Sequence, residues 1–202
     1  MPTHTDDTVL DRGAATRAAL VQTATEMFVD AGYGAVSVRD LARRTGLTTG
    51  AIYGHYRNKA GLLAAAVNDR IEAELEAPAA GKGAKLVDAI GRQWRTYRRR
   101  TSMRALLVEG AAAARVDADV RRELSATLTA KLDDWRAVYR EIQAEEQLDP
   151  DADMEALVFL LFAAELGVGV LESIGVDLPK PSAWERTVER LLGGLYPGKR
   201  QR

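Results

Sequence analysis

Residues 37–59 hold five cations, Arg39, Arg43, Arg44, Arg57 and Lys59, against one anion, Asp40. A local patch of this kind can hold phosphates although the whole chain of 202 residues carries a formal net charge of only −1. Residues 82–104 are more basic still, with eight cations and the single anion Asp88. Catalytic constellations are missing. The chain has two histidines, His4 and His55, and no cysteine, which excludes disulfides, thiolate metal sites and a cysteine nucleophile. It shows no glycine-rich phosphate loop, no metal-spaced cluster and no nucleophile elbow, and the adjacent acids Glu145 and Glu146 read as helix surface. The sequence therefore predicts a binding protein and not an enzyme, with no metal and no cofactor.

The elements that must position these residues are helices throughout, since no alternating β-branched run bounded by hairpin turns occurs. Residues 1–12 are polar and aperiodic and read as a mobile arm. The first helix has Val21, Ala24, Met27, Phe28 and Ala31 at three- and four-residue steps and stops at Gly32. Ser37 opens a second helix with Asp40 in capping-box position, and that helix ends near Gly46. A third runs from Thr48 or Thr49 to Tyr56. Asn58 caps a fourth, whose stripe is Leu62, Leu63, Ala66, Val67, Ile71 and Leu75. Residues 78–83, with one proline and two glycines, break the pattern and mark a domain boundary. Five more helices follow: residues 84–100; residues 102–115; one capped by Asp117; one opening at Asp149 and Pro150; and one opened by a capping box of Ser182 and Glu185.

Residues 38–56 have the logic of a helix-turn-helix. Leu41 and the small Ala42 form the inner face of the second helix, Gly46 makes the turn, and Leu47 plugs the gap. Ile52 and Tyr56, four apart, point the third helix inward, which leaves Thr49, Gly50, Tyr53 and Gly54 outward, where a helix in a major groove contacts base edges.

The stretches Thr16-Arg17-Ala18-Ala19-Leu20, Gly32-Tyr33, Ser37-Val38-Arg39-Asp40-Leu41-Ala42-Arg43-Arg44-Thr45-Gly46-Leu47, Gly50-Ala51-Ile52-Tyr53-Gly54-His55-Tyr56 and Asn58-Lys59-Ala60-Gly61-Leu62-Leu63 occur in order and with matching spacing. Over residues 14–67 the chain resembles the DNA-binding domain of the TetR family of repressors. The resemblance implies that Ser37 and Arg39 contact phosphates or nearby bases and that Thr48, Thr49 and Gly50 open the recognition helix. It further implies that Tyr53 and His55 touch the DNA backbone and that Lys59 binds a phosphate. Gly54 departs from the pattern, because many members carry a larger base-reading side chain there. Gly50 and Gly54 would then permit close backbone approach to DNA, and specificity leans on Arg39, the threonines and DNA shape. Arg43 and Arg44 read as a solvated face, with a phosphate contact by one of them as the alternative.

The expected fold is all-α, about nine helices, in four parts: the arm at 1–12, a helix-turn-helix domain at 13–58, a connecting helix at 59–77, and a ligand-binding and dimerisation domain at 78–202. The helix after Pro150 is apolar almost all round, so it must bury a second face against something else. The resemblance implies that it and the last helix pair with their copies in a homodimer, which would place two heads on the half-sites of a palindromic operator in double-stranded DNA. Trp94, Tyr97, Met103, Leu107, Trp135, Tyr139, Phe159 and Phe162 are the candidates to line a cavity for a small apolar or amphipathic effector. Glu109 and Glu165 lie in apolar stretches, where a buried carboxylate could hold a cationic ligand, yet Glu165 and Glu172 share a helical face, which suggests a solvent edge. The arginines at 95, 98–100 and 104 read as a solvated helix end or as an attractor for a phosphate-bearing effector. The N-terminus lacks the basic start and apolar stretch of a secretion signal, and the apolar run 156–164 ends at Glu165, short of the ~20 residues of a membrane span. A cytoplasmic protein without a membrane partner is expected. The alternatives are an orphan regulator without ligand, or a helical interaction module that has lost DNA binding.

Overall fold

The computed structural model describes residues 5–75, 86–146 and 148–196. Among these residues there are nine α-helices and no strand: α1 (Thr5–Ala31), α2 (Val38–Thr45), α3 (Thr49–His55), α4 (Lys59–Glu74), α5 (Leu86–Arg95), α6 (Thr101–Ala114), α7 (Ala118–Glu145), α8 (Met154–Ser173) and α9 (Pro181–Leu192). The boundary expected at residues 78–83 lies outside the described residues.

Most helix ends follow from local chemistry. Gly32 and Gly46 adopt left-handed backbone conformations, φ 83° and 71°, which end α1 and α2. Asn58 Oδ1 accepts the Gly61 amide at 2.8 Å, and Asp117 Oδ1 accepts those of Asp119 and Val120 at 2.9 and 3.2 Å, so both cap as their sequence positions suggest. Four boundaries differ from expectation. Helix α1 begins at Thr5, so residues 5–12 continue it and form no irregular arm; no proline interrupts the chain between Pro2 and Pro78. Helix α5 stops at Arg95, and a 3-10 turn at Tyr97–Arg99 follows. Helix α8 starts at Met154, where the Asp153 carboxylate accepts the amides of Glu155 and Ala156; Asp149 instead caps a turn through the Asp151 amide. Helix α9 starts at Pro181, where the missing amide costs nothing, and Glu185 makes an ion pair with Arg95 instead of closing a capping box.

The chain divides into two compact units: residues 1–70 with 105–127, and residues 71–104 with 128–202. This is not the single cut that the sequence suggests, because the second half of α6 and the start of α7 pack with the N-terminal helices. In the first unit Leu20, Ala24 and Phe28 of α1, Leu41 of α2, and Leu62, Leu63, Ala66 and Val67 of α4 are buried, as are Leu106, Leu107, Val120 and Leu124. Gly110 allows this packing. A Cβ there would meet Leu124 Cδ1 at 2.6 Å. The α6–α7 segment also makes polar ties within this unit: Glu109 accepts the Tyr33 amide at 2.9 Å, and Asn58 donates to Asp119 at 3.2 Å. Glu109 thus serves the chain just past the end of α1.

The second unit is built around Leu86, Ile90, Trp94, Tyr97, Tyr139, Ile142, Met154, Val158, Val168, Val188 and Leu192. Helix α5 packs along α9, with Trp94 stacked on Trp184 at 4.8 Å between ring centroids. Beside these rings two arginines enter the core, which explains why α5 breaks off. Arg100 donates to the Gln93 carbonyl at 2.6 Å and to Glu165. Arg104 donates to the Tyr97 carbonyl at 2.5 Å and to Glu172 at 2.8 and 3.0 Å. Arg100 and Arg104 are each 1% exposed and Glu165 is 4% exposed. Glu165 is therefore not on a solvent edge, whereas Glu172 stays partly exposed, and only Arg95, Arg98 and Arg99 of the arginine run are exposed. Loss of hydration pushes the Arg100 guanidinium below its usual range, and the Glu165 carboxylate beside it opposes that shift.

Candidate nucleic-acid interface

The first unit presents a helix-turn-helix. Ser37 starts α2 with a reciprocal capping box: its hydroxyl accepts the Asp40 amide at 3.2 Å, and Asp40 Oδ2 accepts the Ser37 amide at 3.1 Å and the Ser37 hydroxyl at 2.5 Å. These bonds hold the Asp40 carboxyl below the usual carboxylate range. Gly46 then turns the chain, and Thr48 starts α3 by accepting the Ala51 amide at 3.1 Å. Ile52 and Tyr56 are buried at 2% and 6%, so α3 is fixed by one face. Thr48, Thr49, Gly50 and Gly54 are exposed on the other, together with Tyr53, which is 52% exposed although large and aromatic. Ser37 and Arg39 are exposed at the start of α2, and His55 is half-buried.

Lys59 is held more firmly than its sequence position suggests. Its Nζ donates to the Tyr33 carbonyl at 2.8 Å and the Val36 carbonyl at 2.9 Å and lies 3.9 Å from the centroid of the Tyr33 ring. Partial burial lowers the affinity of the amine for its proton, and burial raises the Tyr33 hydroxyl to about 12. With these bonds the residue braces the segment between α1 and α2. Arg43 pairs with Asp40 at 2.9 Å and Arg44 with Glu26 at 3.4 Å, as a solvated face would.

The glycines of α3 have no intramolecular reason to be glycine. A Cβ at Gly54 meets nothing within 4 Å, and one at Gly50 meets only Thr48 Oγ1 at 3.8 Å. Sequence reasoning missed Arg17, whose Nε donates to the Tyr56 hydroxyl at 3.1 Å across 39 residues of chain; nothing local in the sequence signals that pairing.

The effector candidates fall in different surroundings. Trp94, Tyr97, Met103 and Tyr139 are buried in the second unit, and burial lifts the Tyr139 hydroxyl well above its normal range. The Tyr97 hydroxyl donates to the Pro179 carbonyl. Trp135 and Phe162 are half-buried and touch, with centroids 6.0 Å apart. Leu107 is buried in the first unit, and Phe159 is 60% exposed. Leu107 is on the part of α6 that follows residue 104, and Phe159 falls on the outward side of α8.

A short helix braced on one face, capped by a threonine and exposing polar and backbone groups on the other, is the arrangement of a DNA-binding helix-turn-helix. The comparisons agree. Residues 20–66 match the bacterial regulatory proteins of the tetR family. That match spans the helix-turn-helix, so this part of the chain is similar to the DNA-binding domain of those regulators. No curated protein matches the sequence. Solved structures share the whole fold at low identity. Salmonella enterica GusR is 22% identical with a TM-score of 0.71, over 90% of this chain and 95% of that one. A TetR-family regulator from Rhodococcus sp. is 17% identical with a TM-score of 0.74, over 90% and 98%. A transcriptional regulator from Saccharomonospora viridis, solved in complex with choline, is 15% identical with a TM-score of 0.63, over 89% and 96%.

Proposed function

We propose that this regulator is a cytoplasmic repressor. In this reading it binds a palindromic operator as a homodimer and leaves it when a small apolar or amphipathic effector binds the second unit. The observation that carries the DNA reading is the exposure of Tyr53, Thr49, Gly50 and Gly54 on one face of α3 while Ile52 and Tyr56 fix the other. Ser37, Arg39, Thr48 and His55 flank that face, and Lys59 keeps one proton for a phosphate. Repression follows from occupancy of an operator. Release requires that the effector favour a state of the protein that DNA disfavours, by its difference in affinity for the two states.

The test is a fluorescence-anisotropy titration with duplex DNA from upstream of the protein's own coding sequence. Tyr53→Ala is expected to abolish specific binding while the protein keeps its thermal midpoint, because half of the ring lies in solvent. Affinity within twofold of the parent protein would remove α3 as the recognition helix.

A second reading, a regulator without effector, draws support from Trp94, Tyr97, Met103 and Tyr139, which pack as ordinary core. Native mass spectrometry of the purified protein separates the two: a bound small molecule supports the ligand-responsive reading.

A further inference from the structure

The charge pattern around the recognition helix sorts its cations in a way the sequence does not. Arg43 and Arg44 each sit against a carboxylate, which offsets their charge before any DNA arrives. Among the described residues no carboxylate lies within ion-pair distance of Arg17, Arg39 or Arg57, and all three are exposed. Arg17 differs from the other two because it is also held in place. Its Nε donates to the Tyr56 hydroxyl at 3.1 Å, and its guanidinium carbon lies 5.2 Å from the centroid of the Tyr56 ring. Tyr56 is itself fixed. It is buried, and its amide closes α3 by donating to the Ile52 carbonyl at 2.9 Å.

A phenol is a neutral partner, so it directs the guanidinium without cancelling its charge. One of the five N–H donors is engaged, and the two terminal nitrogens remain as a fork for phosphate oxygens. A side chain held this way loses less freedom on binding than an untethered arginine. Tyr53, the exposed ring of the recognition face, lies three positions before Tyr56, one helical turn away.

We propose that Arg17 of α1 is a ligand for a DNA backbone phosphate, positioned at the end of the recognition helix by the Tyr56 hydroxyl. This rests on the DNA-binding reading above. Arg17 contributes affinity and register but no base readout, since phosphates carry no sequence information.

The experiment measures binding against salt concentration for the parent protein, Arg17→Gln, Arg17→Lys and Tyr56→Phe. The probes are the upstream duplex and an unrelated duplex of equal length. Arg17→Gln is expected to flatten the plot of log affinity against log salt by about one unit for each protomer bound and to weaken both duplexes alike. Arg17→Lys keeps the charge and the slope. Tyr56→Phe keeps the slope and loses affinity, because the charge remains but its tether is gone. A methylphosphonate scan of the duplex adds a readout that a purely structural brace would not move: neutralising one phosphate should weaken the parent protein and leave Arg17→Gln unaffected. If Arg17→Gln lowers the thermal midpoint while the slope stays unchanged, or if no phosphate couples to it in the scan, Arg17 is a brace only and the proposal fails. If the parent protein does not bind duplex DNA, or Tyr53→Ala binds as well as the parent, the DNA-binding reading fails first and takes this one with it.

Discussion

The two glycines of α3 pose a question at the level of single residues. Each costs a helix interior about 1 kcal/mol relative to alanine, and α3 has only seven residues in which to offset that. Elsewhere in the first unit a glycine has an internal reason: at Gly110 a Cβ would run into Leu124. At Gly54 it would meet open space. If the missing side chain matters, what it accommodates is outside the protein, and a DNA backbone close to the helix is the candidate. Gly54→Ala is therefore expected to raise the thermal midpoint, by about 1 kcal/mol of stability, and at the same time to weaken operator binding. A calorimetric scan and an anisotropy titration on one preparation give both numbers. A variant that gains stability and binds DNA unchanged would leave the glycine without a functional reason. Lys59 carries a related lesson. The resemblance assigns it to a phosphate, yet its ammonium also supplies donors to the carbonyls of Tyr33 and Val36. An affinity loss at Lys59 alone would therefore mix a lost contact with a loosened segment, whereas Arg17 and Gly54 separate the two effects better.

At the scale of elements, what could be read in advance was whatever is encoded within a few residues. Ser37 with Asp40, Gly46, Thr48 and Asn58 each act on neighbours three or four positions away, and all of them cap or turn as their spacing suggests. The inward face of α3 was equally legible, because Ile52 and Tyr56 need only helical periodicity. What was not legible depends on partners far along the chain. The arginines after Trp94 look like a solvated helix end until Glu165, 65 residues later, is seen to receive Arg100. That pairing in turn ends α5 early, because the backbone must turn to deliver Arg100 inward beside Gln93. Likewise Glu109 looks like a stray acid until the Tyr33 amide, 76 residues earlier, is seen to need an acceptor. The buried pair makes a stability prediction. Glu165→Gln removes the charge that compensates two buried guanidiniums, and breaking a buried pair of this kind costs about 3–5 kcal/mol. The denaturant midpoint of the second unit should fall accordingly. Replacing both partners, Arg100→Met with Glu165→Leu, should recover much of the loss, since the guanidinium that stays buried, Arg104, keeps its pair with Glu172. If the single variant unfolds at the same denaturant concentration as the parent, the network is not stabilised by its charges.

At the scale of the molecule, the question is what covers α8. Its inner face is committed: Met154, Val158, Glu165 and Val168 are buried in the second unit. The opposite side is apolar and uncovered, with Phe159 60%, Leu160 65%, Val170 44%, Leu171 45% and Ile174 69% exposed, and Leu191 of α9 is 73% exposed. Ala156, Leu160, Ala163, Gly167, Leu171 and Ile174 recur at three- and four-residue steps, the spacing of a helix seam made for another helix. By length and composition alone, this 20-residue helix, with an 18-residue stretch of mean hydropathy 2.0, would also suit a membrane span. The inner face argues against that use, because a bilayer would have to strip α8 from the core of its own unit and leave Arg100 and Arg104 without Glu165 and Glu172. A second copy of the chain, by contrast, needs only the face that is already open. Leu160→Arg places a charge in the middle of that face without touching the inner one. Sedimentation should then show the 22.0 kDa protomer in place of a species of twice that mass, with helicity retained. Binding to the operator should fall and its salt slope should drop by about half, because one head instead of two then meets the phosphates. A parent protein that already sediments as the protomer, or a variant that stays paired, would mean that α8 meets something other than its own copy.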